Sequence, residues 1–266
     1  MKNSIIYLGL IGLLLSTSCD IIEKENFLAD TSPVDTTSNE TVVQKALIED
    51  FTGHGCSNCP QASTEIEVLQ NIHGNKLIAI GVHSGFFAQP QTSTAFTTDF
   101  RTSYGNEIHD FFSPSGYPVG VVNRRGYPGN ALLNYQDWSA ELENVFSQTP
   151  QAAITMNESD GQIIVEARST NGDLDGLKLV VCITENGIID WQLNGSDNQD
   201  DYEHNHVLRT HLNGTWGDEI SLTTTNSTFT FDYTLENNWF KENCHAIAYI
   251  YNTTTYEIIQ VEEIHL

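Results

Sequence analysis

The sequence predicts an α/β domain followed by an all-β sandwich, and three observations carry that reading. Between residues 43 and 149, apolar runs of strand length alternate with segments of helical period. From residue 150 onward there are only short runs rich in β-branched and aromatic residues, separated by Asn-Gly pairs. Two cysteines spaced C-x-x-C stand where the first strand hands over to the first helix, in FTGHGCSNCP (51–60).

The chain begins with a segment set apart from the fold. Lys2, the apolar run IIYLGLIGLLL (5–15) and the small residues Ser16-Thr17-Ser18 predict a signal peptide over 1–18, too short for a transmembrane helix. Cys19 follows at once and is the expected lipidation site. The pattern resembles a bacterial lipoprotein box, with Ser16 where Leu is more usual; the alternative is a secreted protein in which Cys19 is incidental. Residues 19–42, rich in Thr, Ser, Asp and Glu, read as a flexible acidic tether.

The α/β region opens with VQKALIEDF (43–51), a buried strand, followed by a helix over 57–72 with Ile66, Leu69 and Ile72 at helical spacing. KLIAIGVHS (76–84) is a second buried strand, so the unit is a βαβ crossover with a parallel pair. Residues 94–112 read as an inserted helical segment, 117–124 as a third strand and 136–148 as a closing amphipathic helix. The division falls near Thr149-Pro150. Beyond it, strands are expected at 162–169, 177–185, 227–235, 244–252 and 256–264, with turns at Asn171-Gly172, Asn186-Gly187, Asn194-Gly195 and Asn213-Gly214.

Charge and cysteine count narrow the function. With 11 Lys plus Arg against 35 Asp plus Glu, the net charge is -24, which repels phosphate backbones and argues against nucleic acid as a partner. Export permits disulfides. Setting Cys19 aside leaves Cys56, Cys59, Cys182 and Cys244, an even number that permits two bridges without demanding them.

A C-x-x-C at a strand-to-helix turn has a specific chemical use. Helix-terminal N–H groups stabilise a thiolate on the first cysteine, and the second, one turn on, attacks and releases a mixed disulfide. Cys56 is the expected attacking thiol and Cys59 the resolving one. Asp50, six residues before Cys56, would lie beneath the helix start as proton acceptor for Cys59, and an imidazolium at His54 would further stabilise the thiolate. A zinc site needs two more ligands at suitable spacing, and no second C-x-x-C exists, so no metal and no cofactor are expected. A disulfide that merely braces a binding protein fits the same residues.

ALIEDFTGHGCSNCP (46–60) resembles the thioredoxin superfamily pattern of strand, Asp, loop, C-x-x-C and helix. The resemblance implies a cis proline at Tyr117-Pro118, ahead of the third strand, lining a substrate groove. The chain more closely resembles the outer membrane protein 28-related lipoproteins of Bacteroidota. These carry a similar EDFTG-x-x-C-x-x-CP and a later stretch like HNHVLR…LNGTWGD, here His204 to Asp218. That resemblance implies an α/β thioredoxin-like domain (43–149) followed by an all-β immunoglobulin-like sandwich (150–266). Gly55 replaces thioredoxin's aromatic residue, Ser57-Asn58 lacks the central proline, and 58 residues separate Cys59 from Pro118, which points to an insertion reshaping the groove.

Two smaller features complete the reading. His204 and His206 would share one face of a strand, either as a ligand site or as an edge segment packing Val207 and Leu208, and Arg209 would make an ion pair. Cys182 and Cys244 could form a second bridge or remain buried thiols. The expected function is thiol–disulfide exchange on thiols or disulfides of exported proteins, by a protein anchored to the outer membrane through lipid. The rival is a surface adhesin or binding lipoprotein.

Overall fold

Every residue of β1 (Ala46–Thr52) and β2 (Leu77–His83) is buried, which is why both read as unbroken apolar runs rather than alternating ones. They pair in parallel, Ala46 opposite Leu77 through Thr52 opposite His83, with α1 (Cys59–His73) as the crossover. The computed structural model describes residues 41–92 and 94–266. The expected signal peptide, Cys19 and all but the last two residues of the tether lie outside the described residues.

Pro60 sits in the first turn of α1, where an N–H would have no helical partner anyway, and the helix buries Cys59, Ala62, Ile66 and Leu69. Ile72, expected on the same face, is exposed. α2 (Ser103–Phe112) is shorter than its apolar pattern indicates. Thr102 caps it by accepting the Gly105 N–H at 2.9 Å, and residues before it are irregular. β3 (Val119–Val122) follows a cis Tyr117–Pro118 bond and runs antiparallel to β1. α3 (Trp138–Phe146) covers the sheet with Trp138, Leu142 and Val145.

The remaining strands are β4 (Ala152–Ser159), β5 (Gln162–Ser169), β6 (Leu174–Glu185), β7 (Ile188–Asn194), β8 (Asp197–His204), β9 (Val207–His211), β10 (Asp218–Leu222), β11 (Ser227–Asp232), β12 (Cys244–Asn252) and β13 (Ile258–His265). All four Asn-Gly glycines have positive φ, as their turns require. The main sheet has the order β13-β12-β6-β9-β2-β1-β3, with β10 also on β6; β11-β5-β4 and β7-β8 are separate small sheets. The fold is mixed α/β and dominated by strands.

Side-chain parity sorts the apolar residues into three cores. Ala46, Ile48, Leu77 and Ala79 face α1 and α3. Leu47, Phe51, Ile78, Ile80 and Val82 face the other way and share a core with Val180, Cys182, Ile247 and Tyr249. Leu177, Leu179, Val181, Ala246, Ala248 and Ile250, on the opposite faces of β6 and β12, pack on Ile163 and Val165 of β5. The middle core and the main sheet therefore both run across residue 150. The join is narrow: β2 and β9 meet at Gly81 and Val207, and the Gly81 N–H donates to His206 O at 2.7 Å. A Cβ at Gly81 would lie 3.3 Å from that oxygen, which accounts for the glycine in an otherwise apolar strand.

One ion pair is sealed in the shared core. Arg124 donates to both carboxylate oxygens of Glu49 at 2.7 Å and to Tyr249 Oη at 2.9 Å, tying β1 to β12. The ion pair expected of Arg209 forms with Glu185 at 2.7 Å.

Candidate active site

β1 ends by delivering its chain into a tight turn, and the disulfide Cys56–Cys59 closes that turn onto the start of α1 with a Cα–Cα distance of 5.4 Å. Gly53 is required there, because a Cβ would come within 2.4 Å of the Phe87 carbonyl carbon. The turn is pinned by the Gly55 N–H donating to Phe87 O and the Cys56 N–H donating to Gly53 O, each at 2.9 Å. Cys56 is 2 % exposed and Cys59 1 %, so both cysteines are buried.

A hairpin from far along the chain, here called the roof, packs on the cysteine turn. The β7–β8 hairpin lies against the turn, its Leu193 N–H donating to His54 O at 2.8 Å and its Gly195 N–H to Ser57 O at 2.9 Å. Gln192, itself buried, donates from Nε2 to Cys56 O at 2.9 Å.

Asp50, on β1, shares a cavity with Cys59. Residues 46, 48 and 50 share the face that α1 covers, so its carboxyl enters a cavity of about 30 Å³ lined by Cys59, His83, Gln192, Tyr202 and His204. Its Oδ1 has no hydrogen-bond partner in the protein, and burial pushes its pKa up to about 7. A carboxyl in that state exchanges its proton near neutral pH, which is the property a proton relay to Cys59 needs.

Burial disfavours charge on three histidines near the turn, His54, His83 and His204. His54 stacks on Phe96 with ring centroids 5.4 Å apart, and its Nε2 lies 3.3 Å from Gln89 O. Burial lowers its pKa, so the imidazolium the sequence invites is disfavoured there. His83 and His204 join Phe100 in an aromatic cluster, and burial drives His83 well below 6.5 and His204 to about 4. His206 does not share a strand face with His204: it takes φ 59° at the break between β8 and β9.

Tyr117 Oη is fixed by His109 Nδ1 and Ser84 Oγ, both at 2.9 Å, and its ring lies 5.5 Å from that of Phe87, whose carbonyl holds the cysteine turn. The second bridge permitted by the cysteine count does not form. Cys182 and Cys244 are free buried thiols, and strand register sets Cys182 opposite Ile247 and Cys244 opposite Glu185, so they are not cross-strand neighbours. Among the described residues no group of three His, Cys, Asp or Glu is arranged to hold a metal ion.

Sequence reading missed the roof. Residues 188–204 are polar and acidic, with too few apolar positions to display a buried face, and the contact of Gln192 with Cys56 joins residues 136 apart. The Asn186-Gly187 and Asn194-Gly195 turns bracketing β7 were the available signal.

A family model described as outer membrane protein Omp28 matches residues 105–266. Among solved structures, HBP35 of Porphyromonas gingivalis is similar at a TM-score of 0.66 and 15% identity, covering 85% of this chain and 76% of that one. An Agrobacterium tumefaciens protein is similar at a TM-score of 0.53 and 13% identity, covering 84% of this chain and 94% of that one. A domain of the outer membrane lipoprotein Omp28 from Porphyromonas gingivalis aligns at 18% identity over 45% of this chain and 90% of that one, with a TM-score of 0.30, too low to support an argument. No curated protein matches significantly in sequence. At these identities the structural likeness speaks to fold alone.

Proposed function

The chain belongs to the outer membrane protein Omp28 family, and from that premise we propose an outer-membrane lipoprotein, anchored through Cys19, that performs thiol–disulfide exchange on exported proteins. In this reading residues 43–149 form a thioredoxin-like module, residues 150–266 an immunoglobulin-like one, and Tyr117 and Pro118 line the substrate groove. The observation that carries it is Asp50. A buried carboxyl whose Oδ1 has no protein partner is costly, and a brace has no use for one.

The chemistry starts from the disulfide. A substrate thiolate attacks Cys56 Sγ; a substrate–Cys56 bond forms, the Cys56–Cys59 bond breaks, and Cys59 leaves as a thiolate that takes the proton of Asp50. A second substrate thiolate then attacks the substrate sulfur of the mixed disulfide, and Cys56 leaves. Two electrons pass to the cysteine pair. The two protons lost by the substrate end on Cys59, by way of Asp50, and on Cys56. In reverse, Cys56 attacks a substrate disulfide and Cys59, deprotonated by Asp50, resolves it. His54 acts as a neutral packing partner of the turn.

One observation favours a second reading, a binding lipoprotein with a structural bridge: both cysteines are buried. Trapping separates the two. Cys59→Ser should accumulate mixed disulfides through Cys56 with dithiol-containing exported proteins, and Cys56→Ser should not. Equal absence of adducts in both variants, under conditions that expose Cys56, would favour the structural bridge.

A further inference from the structure

We propose that the β7–β8 hairpin is a lid over the disulfide and that Gln192 is its latch, a positioning residue that governs when thiols reach Cys56. The role as a gate rests on the exchange reading above; the motion itself does not.

Four observations carry the proposal. First, the hairpin lies against the cysteine turn: Leu193, Gly195 and Gln192 donate to the carbonyls of His54, Ser57 and Cys56, and both cysteines are buried. Second, no residue of β7 or β8 belongs to any of the three apolar cores, and only Gln192 and His204 on the hairpin are buried. Apart from His204 at its base, which packs on His83 and Phe100, the hairpin is held by polar contacts, and an element so sparsely anchored opens at lower free energy than the sheet beneath it. Third, β7 and β8 pair only with each other, so lifting them breaks no strand pairing of the main sheet. Fourth, both strands leave the body at a defined base. The His206 N–H donates to Asn186 Oδ1 at 2.6 Å and the Gly187 N–H to Asn205 Oδ1 at 2.8 Å, with Gly187 and His206 both at positive φ. Two crossed asparagine contacts make a clasp about which the hairpin can swing as a unit.

Gln192 ties the hairpin to the turn through its side chain. Its amide reaches Cys56 O at 2.9 Å and Gly53 O at 3.4 Å, bridging the lid to the segment that carries the attacking cysteine. Removing it leaves the Cys56 carbonyl without that donor and frees the hairpin; Cys56, Cys59 and Asp50 are kept, and because Gln192 also lines the Asp50 cavity the lid amides are read beside the reduction rate.

The test compares the intact chain with Gln192→Leu, which keeps the bulk and removes the donor. Thiols released by dithiothreitol are counted by quenched alkylation, and amide hydrogen exchange is followed at Leu193 and Gly195 and across β12. The expected result is reduction of Cys56–Cys59 about tenfold faster in the variant, the effect of losing one hydrogen bond. Leu193 and Gly195 amides should quicken by the same factor while Ile247 in β12 stays slow. An unchanged reduction rate, or equal acceleration throughout β12, would overturn the lid. If the variant does not fold, the wild type decides: Leu193 and Gly195 exchanging only as slowly as β12 would mean that the hairpin opens only with global unfolding, and the lid fails. Accelerated reduction in a protein with no turnover on dithiol substrates would uphold the lid and overturn the exchange reading instead.

Discussion

Asp50→Asn should stabilise the protein in a way that depends on pH, because asparagine keeps the shape of the carboxyl and cannot ionise. In the unfolded chain this carboxyl releases its proton near 3.8, whereas in the folded protein it holds it to about 7. A raised acid contributes its full stability below the unfolded value, and that contribution drains as pH rises through the folded value. A displacement of about 3 units at about 1.4 kcal/mol each amounts to about 4 kcal/mol. Urea unfolding of both proteins, disulfide intact, at intervals from pH 4 to pH 8 would read it. The advantage of Asp50→Asn should be under ~1 kcal/mol larger at pH 4 than its acid limit and grow to about 4 kcal/mol at pH 8. At pH 8 that corresponds to a melting temperature higher by roughly 8–16 °C. Titration of His204 and His211, which burial holds near 4, weakens both proteins alike on the acid side and cancels in the difference. A difference that stays flat between pH 4 and pH 8 would refute a buried, proton-holding Asp50 and remove the relay from the mechanism.

Two further outcomes follow from the buried groups. Arg124→Met strands the Glu49 carboxylate in the shared core and should cost about 3–5 kcal/mol in denaturant unfolding, with Glu49→Leu added to it restoring most of the loss. Alkylation of the native, unreduced protein should label neither Cys182 nor Cys244, since burial raises both thiols, to about 11 for Cys244 and further for Cys182. Mass spectrometry after denaturation should then find both labelled; a native disulfide between them would leave both unlabelled and contradict the register.

The parts legible in the sequence are those where a local pattern and the buried face coincide. β1, α1 and β2 could be read because central parallel strands are apolar throughout and the C-x-x-C marks the helix start, which brings Asp50, Cys56 and Cys59 together within one short span. The four Asn-Gly turns were legible because positive φ selects glycine. The hairpin was not, since a lid held by backbone donors and one glutamine needs no apolar period. Nor was the join of β2 to β9, which rests on one residue pair and on Gly81 being small enough for His206 O to approach. Cysteine arithmetic permitted a second bridge because counting cannot see register: β6 and β12 do pair, but out of step for Cys182 and Cys244. His54 reads as a charge because its neighbours in sequence invite one, while its burial against Phe96 and Phe100 lowers its pKa and disfavours the charge.

The central claim is that Cys56 and Cys59 form a working redox pair, and the reduction potential measured beside turnover tests it most directly. Equilibration against a dithiol buffer, with Cys56→Ser as control, should give a potential above about -300 mV, together with catalysed oxidation or reduction of a model protein dithiol. A potential well below about -300 mV, in the range of inert structural bridges, with no turnover over the Cys56→Ser background, would contradict the account.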